Sequence, residues 1–329
     1  MKKLGAIFLG AAAWAVAVQA APSAKPDWAY AVPGPQDEMP PRKDDGTVYH
    51  LPGSNGAFTY SKIQGRKDGS NERTAPADWY PDEHPPMPRI VAEGDNRRGI
   101  AACALCHSPG GRGRPQNAAL RGQPAAYLAQ QLRDMRDDKR ASAEDRKVNA
   151  HQMIGFAKAM TEEEIEAAAK YFAALKWTKL VTVVETDTVP KMYSADGMYL
   201  PRPGGGREPL GARIVETPTD PARTDLRDPH AGYTAYVPRG SVAKGRALAA
   251  GGNGKTLACA LCHGDDLHGV GVIPGIAGRS PAYVGRQLYD MQQGARHGDM
   301  AHLMKPVVAK LTADDIVNIA AYIASLPAR

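Results

Sequence analysis

One five-residue string, written twice, limits this chain more than any other feature. Cys103-Ala-Leu-Cys106-His107 and Cys259-Ala-Leu-Cys262-His263 are identical and lie 156 positions apart, and they use all 4 cysteines of the 329 residues. On one helical turn, positions i, i+3 and i+4 share a face. Two thiols on that face can add to the two vinyl groups of one porphyrin, and the adjacent imidazole sits below the iron as the proximal ligand. C-x-x-C-H therefore reads as c-type haem attachment. A thioredoxin-like redox pair, half of a zinc site, or two structural disulfides would each account for paired cysteines. None of the three accounts for the histidine after each pair or for the repetition of all five letters.

The repeat extends beyond the strings. At the same offset, Tyr127, Gln131, Leu132, Asp134 and Met135 match Tyr283, Gln287, Leu288, Asp290 and Met291. Further on, the offset drops to 151, where Met153, Thr161, Ile165 and Tyr171 match Met304, Thr312, Ile316 and Tyr322. The chain is thus a duplicated unit with five extra residues in one loop of its first copy. The copies are placed at 89–178 and 241–329.

Each unit reads as helical. Gly122 and Gly278 precede the helices that carry Tyr127–Met135 and Tyr283–Met291. Thr161 with Glu164 forms a capping-box pattern for the last helix of the first copy, and Thr312 with Asp315 is a near variant. Ile165, Ala168, Ala169 and Phe172 recur at helical spacing, as do Ile316, Ile319, Ala320 and Ile323, and are read as packing residues. Units this small bury little surface alone. A covalent haem would serve as much of the core, in keeping with an aromatic content of only 6%.

For the sixth iron ligand the candidates are Met153 and Met304, which occupy matching positions before the capped helix. Met/His ligation raises the reduction potential. His151 and His302, two residues earlier in each copy, are rivals that would give bis-histidine haem and a lower potential. Met300 is a further candidate in the second copy alone. A proximal histidine needs a partner for its other ring nitrogen. The expected partners are a backbone carbonyl near Pro274 in the second unit and Pro115 in the first, which falls three residues out of register.

The remaining sequence sets the compartment and leaves about a third of the chain outside the repeat. Lys2 and Lys3, the uncharged run from Leu4 to Val18, and small residues up to Ala20 have the layout of a secretory signal peptide over residues 1–20. The run is shorter than a membrane span needs, so no transmembrane segment is expected after cleavage. The periplasm is the expected location, where c-type haem is attached. The net charge of +6 falls to +4 without Lys2 and Lys3. The propionates of two haems would bring it near neutrality. The basic residues are scattered, and no nucleic-acid partner is expected. Residues 21–88 hold twelve of the 27 prolines, together with Trp28, Tyr30, Tyr49, Phe58, Tyr60, Trp79 and Tyr80, and read as an extended arm. Residues 179–240 contain β-like runs at Val181–Val184, Ile214–Val215 and Tyr233–Val237, with turn signals at Ala195-Asp-Gly197 and Pro203–Gly206. They read as a small β-rich insert between the units.

With these residues in view, the chain resembles the di-haem class I cytochromes c, periplasmic electron-transfer proteins with two tandem domains. The resemblance rests on Cys103–His107 with Met153, on Cys259–His263 with Met304, on Gly122–Tyr127 and Gly278–Tyr283, and on the Thr-capped last helices. It covers about 180 residues and implies two covalently attached haem c groups. It also implies a mainly α fold of two small helical domains, His and Met as axial ligands, and internal electron exchange. The intervening segment 179–240 and the arm 21–88 depart from that family, which leaves the relative placement of the two haems open. The expected function is single-electron transfer between a donor dehydrogenase or quinol-oxidising enzyme and a terminal acceptor, an oxidase or another cytochrome. No catalytic residues are expected. A di-haem peroxidase and a cytochrome subunit of a larger dehydrogenase complex are the alternatives. The oligomeric state is not legible.

Overall fold

The computed structural model describes residues 24–34, 42–67, 70 and 72–328. The signal-peptide reading of residues 1–20 lies outside them. No helix among the described residues is long and apolar enough to cross a membrane.

The first unit packs five helices: α1 (Arg89–Ala92), α2 (Cys103–His107), α3 (Ala125–Arg136), α4 (Val148–Ala159) and α5 (Glu162–Ala174). The apolar stripe of α5 (Ile165, Ala168, Ala169, Phe172) meets Leu128 and Ala129 of α3 and Ile90 and Val91 of α1 in one core. Thr161 caps α5 with a complete capping box. Its hydroxyl accepts from the Glu164 amide, and the Glu164 carboxylate accepts from the Thr161 amide.

Between the units runs β1 (Val181–Glu185), β2 (Thr188–Pro190), β3 (Met192–Ala195), β4 (Met198–Pro201), β5 (Arg207–Pro209), β6 (Val215–Pro218), a short helix α6 (Pro221–Asp225), and β7 (Tyr233–Val237). β7 is central in a three-stranded sheet, antiparallel to β6 and parallel to β1. Its residues alternate as a half-buried strand should, with Tyr233, Ala235 and Val237 inward. β3 and β4 form a hairpin on the two-residue turn Asp196-Gly197, both residues having positive φ (51° and 76°). Asp-Gly is the sequence such a turn favours.

The second unit has α7 (Ser241–Ala249), α8 (Ala260–His263), α9 (Pro281–Gln292), α10 (Lys305–Val308) and α11 (Ala313–Ser325). Thr312 and Asp315 also close a complete capping box, because an aspartate at the third helical position still reaches the cap amide. The inward residues of β7 and β1 share a core with α9 and α11 of this unit. Trp28, Ala29 and Tyr30 of the arm join the same core. Tyr30 is 1% exposed, and its hydroxyl donates to Asp290 Oδ1 at 3.0 Å. The later arm residues Leu51, Ile63, Ala77, Trp79 and Tyr80 form a separate small core that takes in Leu226 of the insert.

The two units meet about a pseudo-two-fold axis written in the repeat. Arg140 donates to Tyr283 (3.3 Å) and Gln287 (3.2 Å) of the opposite unit; Arg296, 156 residues later, donates to Tyr127 (3.1 Å) and Gln131 (2.8 Å). The Ala143 amide donates to Asp290, and the Asp299 amide donates to Asp134. Gln123 binds the Gly275 carbonyl, and Arg279 at the matching position binds that of Ala119. Polar side chains this deeply placed are tolerated because each is paired.

Candidate haem sites

In the first unit a cavity is walled by Ile100, Cys103, Cys106 and His107 on one side and by Met153, Phe156 and Met160 on another. Phe172 of α5 lies edge-on to His107, with ring centroids 6.3 Å apart. The wall is completed from the second unit by Tyr283, Arg286 and Gln287 of α9.

His107 is 7% exposed, and its Nδ1 lies 2.8 Å from the Ala118 carbonyl. Burial lowers its pKa and so favours the neutral ring. A neutral ring that donates from Nδ1 to a carbonyl keeps the Nε2 lone pair free for a metal. His263 repeats the arrangement, with Nδ1 2.8 Å from the Pro274 carbonyl and a pKa lowered by burial. The Pro274 expectation agrees with this. The Pro115 expectation does not, since the Pro115 carbonyl accepts instead from Arg286 Nη2 at 2.8 Å. The spacing decides the partner: both acceptors stand 11 residues after the histidine, whatever the residue type there.

Cys103 and Cys259 lack the character of a redox pair. No disulfide joins any of the four cysteines. Burial pushes Cys103 up to about 12 and also raises Cys259, whereas a reactive C-x-x-C depends on a lowered thiol pKa. No cluster of three or more His, Cys, Asp or Glu fit for a metal ion occurs among the described residues.

The sixth-ligand candidates differ in where they lie. Met153 lines the cavity that holds His107. His151 is exposed on the other side of α4, its Nε2 2.8 Å from the Asp145 carbonyl. In the second unit Met304 is half-buried against the core, while His302 is exposed and Met300 is 48% exposed. The two segments differ in backbone. Met153 sits mid-way along the twelve-residue α4, and Met304 ends a four-residue 3-10 turn, Ala301–Met304.

Sequence reasoning saw Tyr127, Gln131 and Asp134 only as marks of the repeat. The structure gives them and Arg140 a task, joining the units beside the first cavity. The signal was present in the matched Arg140 and Arg296, since an arginine that recurs at the repeat offset serves the same contact twice.

The sequence family described as "Cytochrome c" matches residues 94–176 and 242–327. The chain is a two-domain member of the cytochrome c family. Within the family it is 37% identical over 246 residues to "Cytochrome c4" of Pseudomonas aeruginosa, covering 71% of this chain and 90% of that protein. It is 28% identical over 230 residues to the "Thiosulfate dehydrogenase electron acceptor" of Thiomonas intermedia, covering 69% and 79%. Among solved structures it resembles the thiosulfate dehydrogenase TsdBA of Marichromatium purpuratum, with 27% identity and a TM-score of 0.48. That match covers 73% of this chain but only 39% of the solved one. Two cytochrome c domains, each with its attachment string, mean two covalently bound haem c groups. The relatives named here give a peroxidase no support.

Proposed function

We propose that the chain is an exported, periplasmic electron-transfer protein in which Cys103, Cys106, His107 and Met153 hold one haem c and Cys259, Cys262, His263 and Met304 the other. The haem supplies the one-electron chemistry. The protein orients each proximal imidazole through a backbone carbonyl, presents a thioether opposite, and excludes water from the pocket. The observation that carries the reading is the shared cavity of His107 and Met153, with His151 turned out of it. The expected partners are redox proteins, a donor dehydrogenase and an acceptor oxidase or cytochrome. The resemblance to a protein named as the electron acceptor of a thiosulfate dehydrogenase supports a dehydrogenase as donor. In this reading residues 21–88 are a Pro-rich arm and residues 179–240 a β-rich insert, and together they fix how the units 89–178 and 241–329 are placed.

The test is a pair of substitutions. Met153→Ala and Met304→Ala should each abolish one of two near-infrared bands of sulfur-ligated ferric haem and lower that haem's potential by on the order of 100 mV. If His151→Ala or His302→Ala does so instead, the ligand assignment is wrong.

A further inference from the structure

The loop between α3 and α4 is five residues longer than its counterpart in the second copy, and it brings a lysine into the first cavity. Between Arg140 and Met153 the first unit has Arg146 and Lys147, whereas between the matching Arg296 and Met304 the second unit has no lysine or arginine. Arg146 points outward and pairs with Glu144. Lys147 is 7% exposed and lines the cavity that holds His107 and Met153. Its Nζ makes no hydrogen bond or ion pair with the described residues. Burial brings the ammonium down to about 7, Arg286 pushes the same way, and Asp290 opposes them.

The insert closes this corner. A Cβ on Gly197, in the turn between β3 and β4, would lie 3.5 Å from Lys147 Nζ and 3.1 Å from Gln116 Cβ. Gln116 is buried and lines the same cavity, and its Oε1 has no partner. An unpaired acceptor and an unpaired amine thus lie against one turn, and each is costly to bury alone. Arm and insert also meet the string of this unit. Arg227 donates to the Leu105 carbonyl at 2.6 Å and to Gln64 of the arm at 2.8 Å, and the Gly65 backbone packs on the Leu105 side chain. The other charged groups facing Lys147 are already engaged. Arg286 of α9 donates to the Ala29 and Pro115 carbonyls, and Asp290 accepts from Tyr30 of the arm and from the Ala143 amide. In the lysine's own loop, Arg140 donates to Tyr283 and Gln287, and Glu144 is held by Lys25 and Arg146. Asp196, beside Gly197, is exposed.

An electron that settles in the first cavity removes one positive charge from it. A neighbouring ammonium is then repelled less, so the amine binds its proton more tightly. We propose that Lys147 takes up a proton when the first haem is reduced and releases it on oxidation, a coupling that the second unit lacks. The electron comes from the donor protein and the proton from water. Ferric iron becomes ferrous, the amine becomes an ammonium, and the N–H bond is the only bond made. The sign follows from linkage: the reduced state holds more protons, so the first haem becomes harder to reduce as pH rises through neutrality. This inference rests on the haem assignment above.

Two measurements on the holoprotein test it. In the first, redox titrations at about pH 5 and about pH 9 are resolved by the NMR signals of each haem's methyl groups. The reduction equilibrium constant of the first haem should fall about tenfold between them, and that of the second should hold steady. Lys147→Met should keep the first haem at the low, alkaline value throughout. Lys147→Arg should keep it at the high, acid value, because an arginine does not lose its charge. A fall that persists in both variants, or that is equal at the two haems, overturns the proposal. In the second measurement, the protein carries isotope-labelled lysine. The one signal missing from Lys147→Arg should titrate near neutrality in the reduced protein and at lower pH in the oxidised protein. The same midpoint in both states overturns the proposal. Near-infrared spectra check that each variant keeps both sulfur-ligated haems, and fewer than two in the unsubstituted protein would instead sink the haem assignment.

Discussion

The two halves of the repeat share a sequence pattern but differ in what surrounds them. Both wind a one-turn attachment helix, both aim a histidine at a carbonyl 11 residues on, and both start the last helix with a capping box. Yet the first unit opens with a four-residue helix, Arg89–Ala92, where the second has nine residues, Ser241–Ala249. The arm and insert lie over the first unit's attachment face, whereas they enter the second unit's core. Duplication therefore preserved the haem-holding parts. The unrepeated third of the chain makes the halves unequal, by touching the attachment string of one and packing into the core of the other.

The largest expected effect sharpens this contrast at the opening helix. α7 crosses α11 at Gly245, where a Cβ would lie 1.9 Å from the Asn318 carbonyl oxygen. Backbone on backbone cannot yield as a flexible side chain can. Gly245→Ala should therefore cost about 3 kcal/mol or more, at the upper end of overpacking losses. Thermal unfolding followed separately at the two haems checks it, with the second unit melting earlier than the first. If both transitions fall together, the halves unfold as one cooperative block and the contrast is one of surface only.

A smaller effect probes the seam between insert and second unit. Glu216 of β6 is buried, and it accepts from Ser280 Oγ at 2.6 Å and from the Ala282 amide at 3.2 Å. Ser280 in turn caps α9. At α3, the matching helix of the first unit, the N-terminal flank is Pro124 with no side-chain cap. Burial raises the Glu216 carboxyl to about 7. A carboxyl whose pKa is raised in the folded state binds more protons folded than unfolded, so stability falls as pH rises from about 4.5 to about 7. Glu216→Gln should flatten that slope, by roughly 1–3 kcal/mol between the ends of the window. Denaturant titrations at pH 5 and pH 8 measure it. An unchanged slope would mean that Glu216 is not the group responsible.

Much of this was legible in the sequence because the repeat supplied a second copy against which to check each residue. The attachment strings, the cap pairs and the apolar stripes of α5 and α11 follow from local periodicity and capping chemistry, and these need no tertiary information. The runs Val181–Val184 and Tyr233–Val237 lie within strands, but nothing local says that β1 and β7 pair in parallel across the whole intervening insert. Nor could spacing show that Gly65 would reach Leu105, or that Arg227 would bridge arm and string. Those contacts join segments far apart in sequence, with no counterpart in the second copy. The orienting carbonyl of the first unit was misplaced at Pro115 for a related reason: a conspicuous residue type was followed instead of the offset.

The smallest expected effect asks how far the equality of the halves extends. The capping boxes differ in their acid and in its outer partner: Glu164 is held by Arg98, and Asp315 by Lys255. Thr161→Ala and Thr312→Ala should each cost about 1 kcal/mol, the ordinary loss of a helix cap. The Arg98 guanidinium lowers the Glu164 pKa below its usual value. The stability this brings is present above the unfolded carboxylate range and is lost as pH falls through the lowered folded value. Both substitutions should therefore matter near neutrality and less in acid. Equal losses in chemical denaturation would show that the cap energy belongs to the repeated motif and is blind to arm and insert. A loss at Thr312 larger by more than about 1 kcal/mol would show the reverse. α11 packs against the β7 sheet and the arm's Tyr30 cluster, so fraying its first turn would then loosen the unrepeated part of the chain as well.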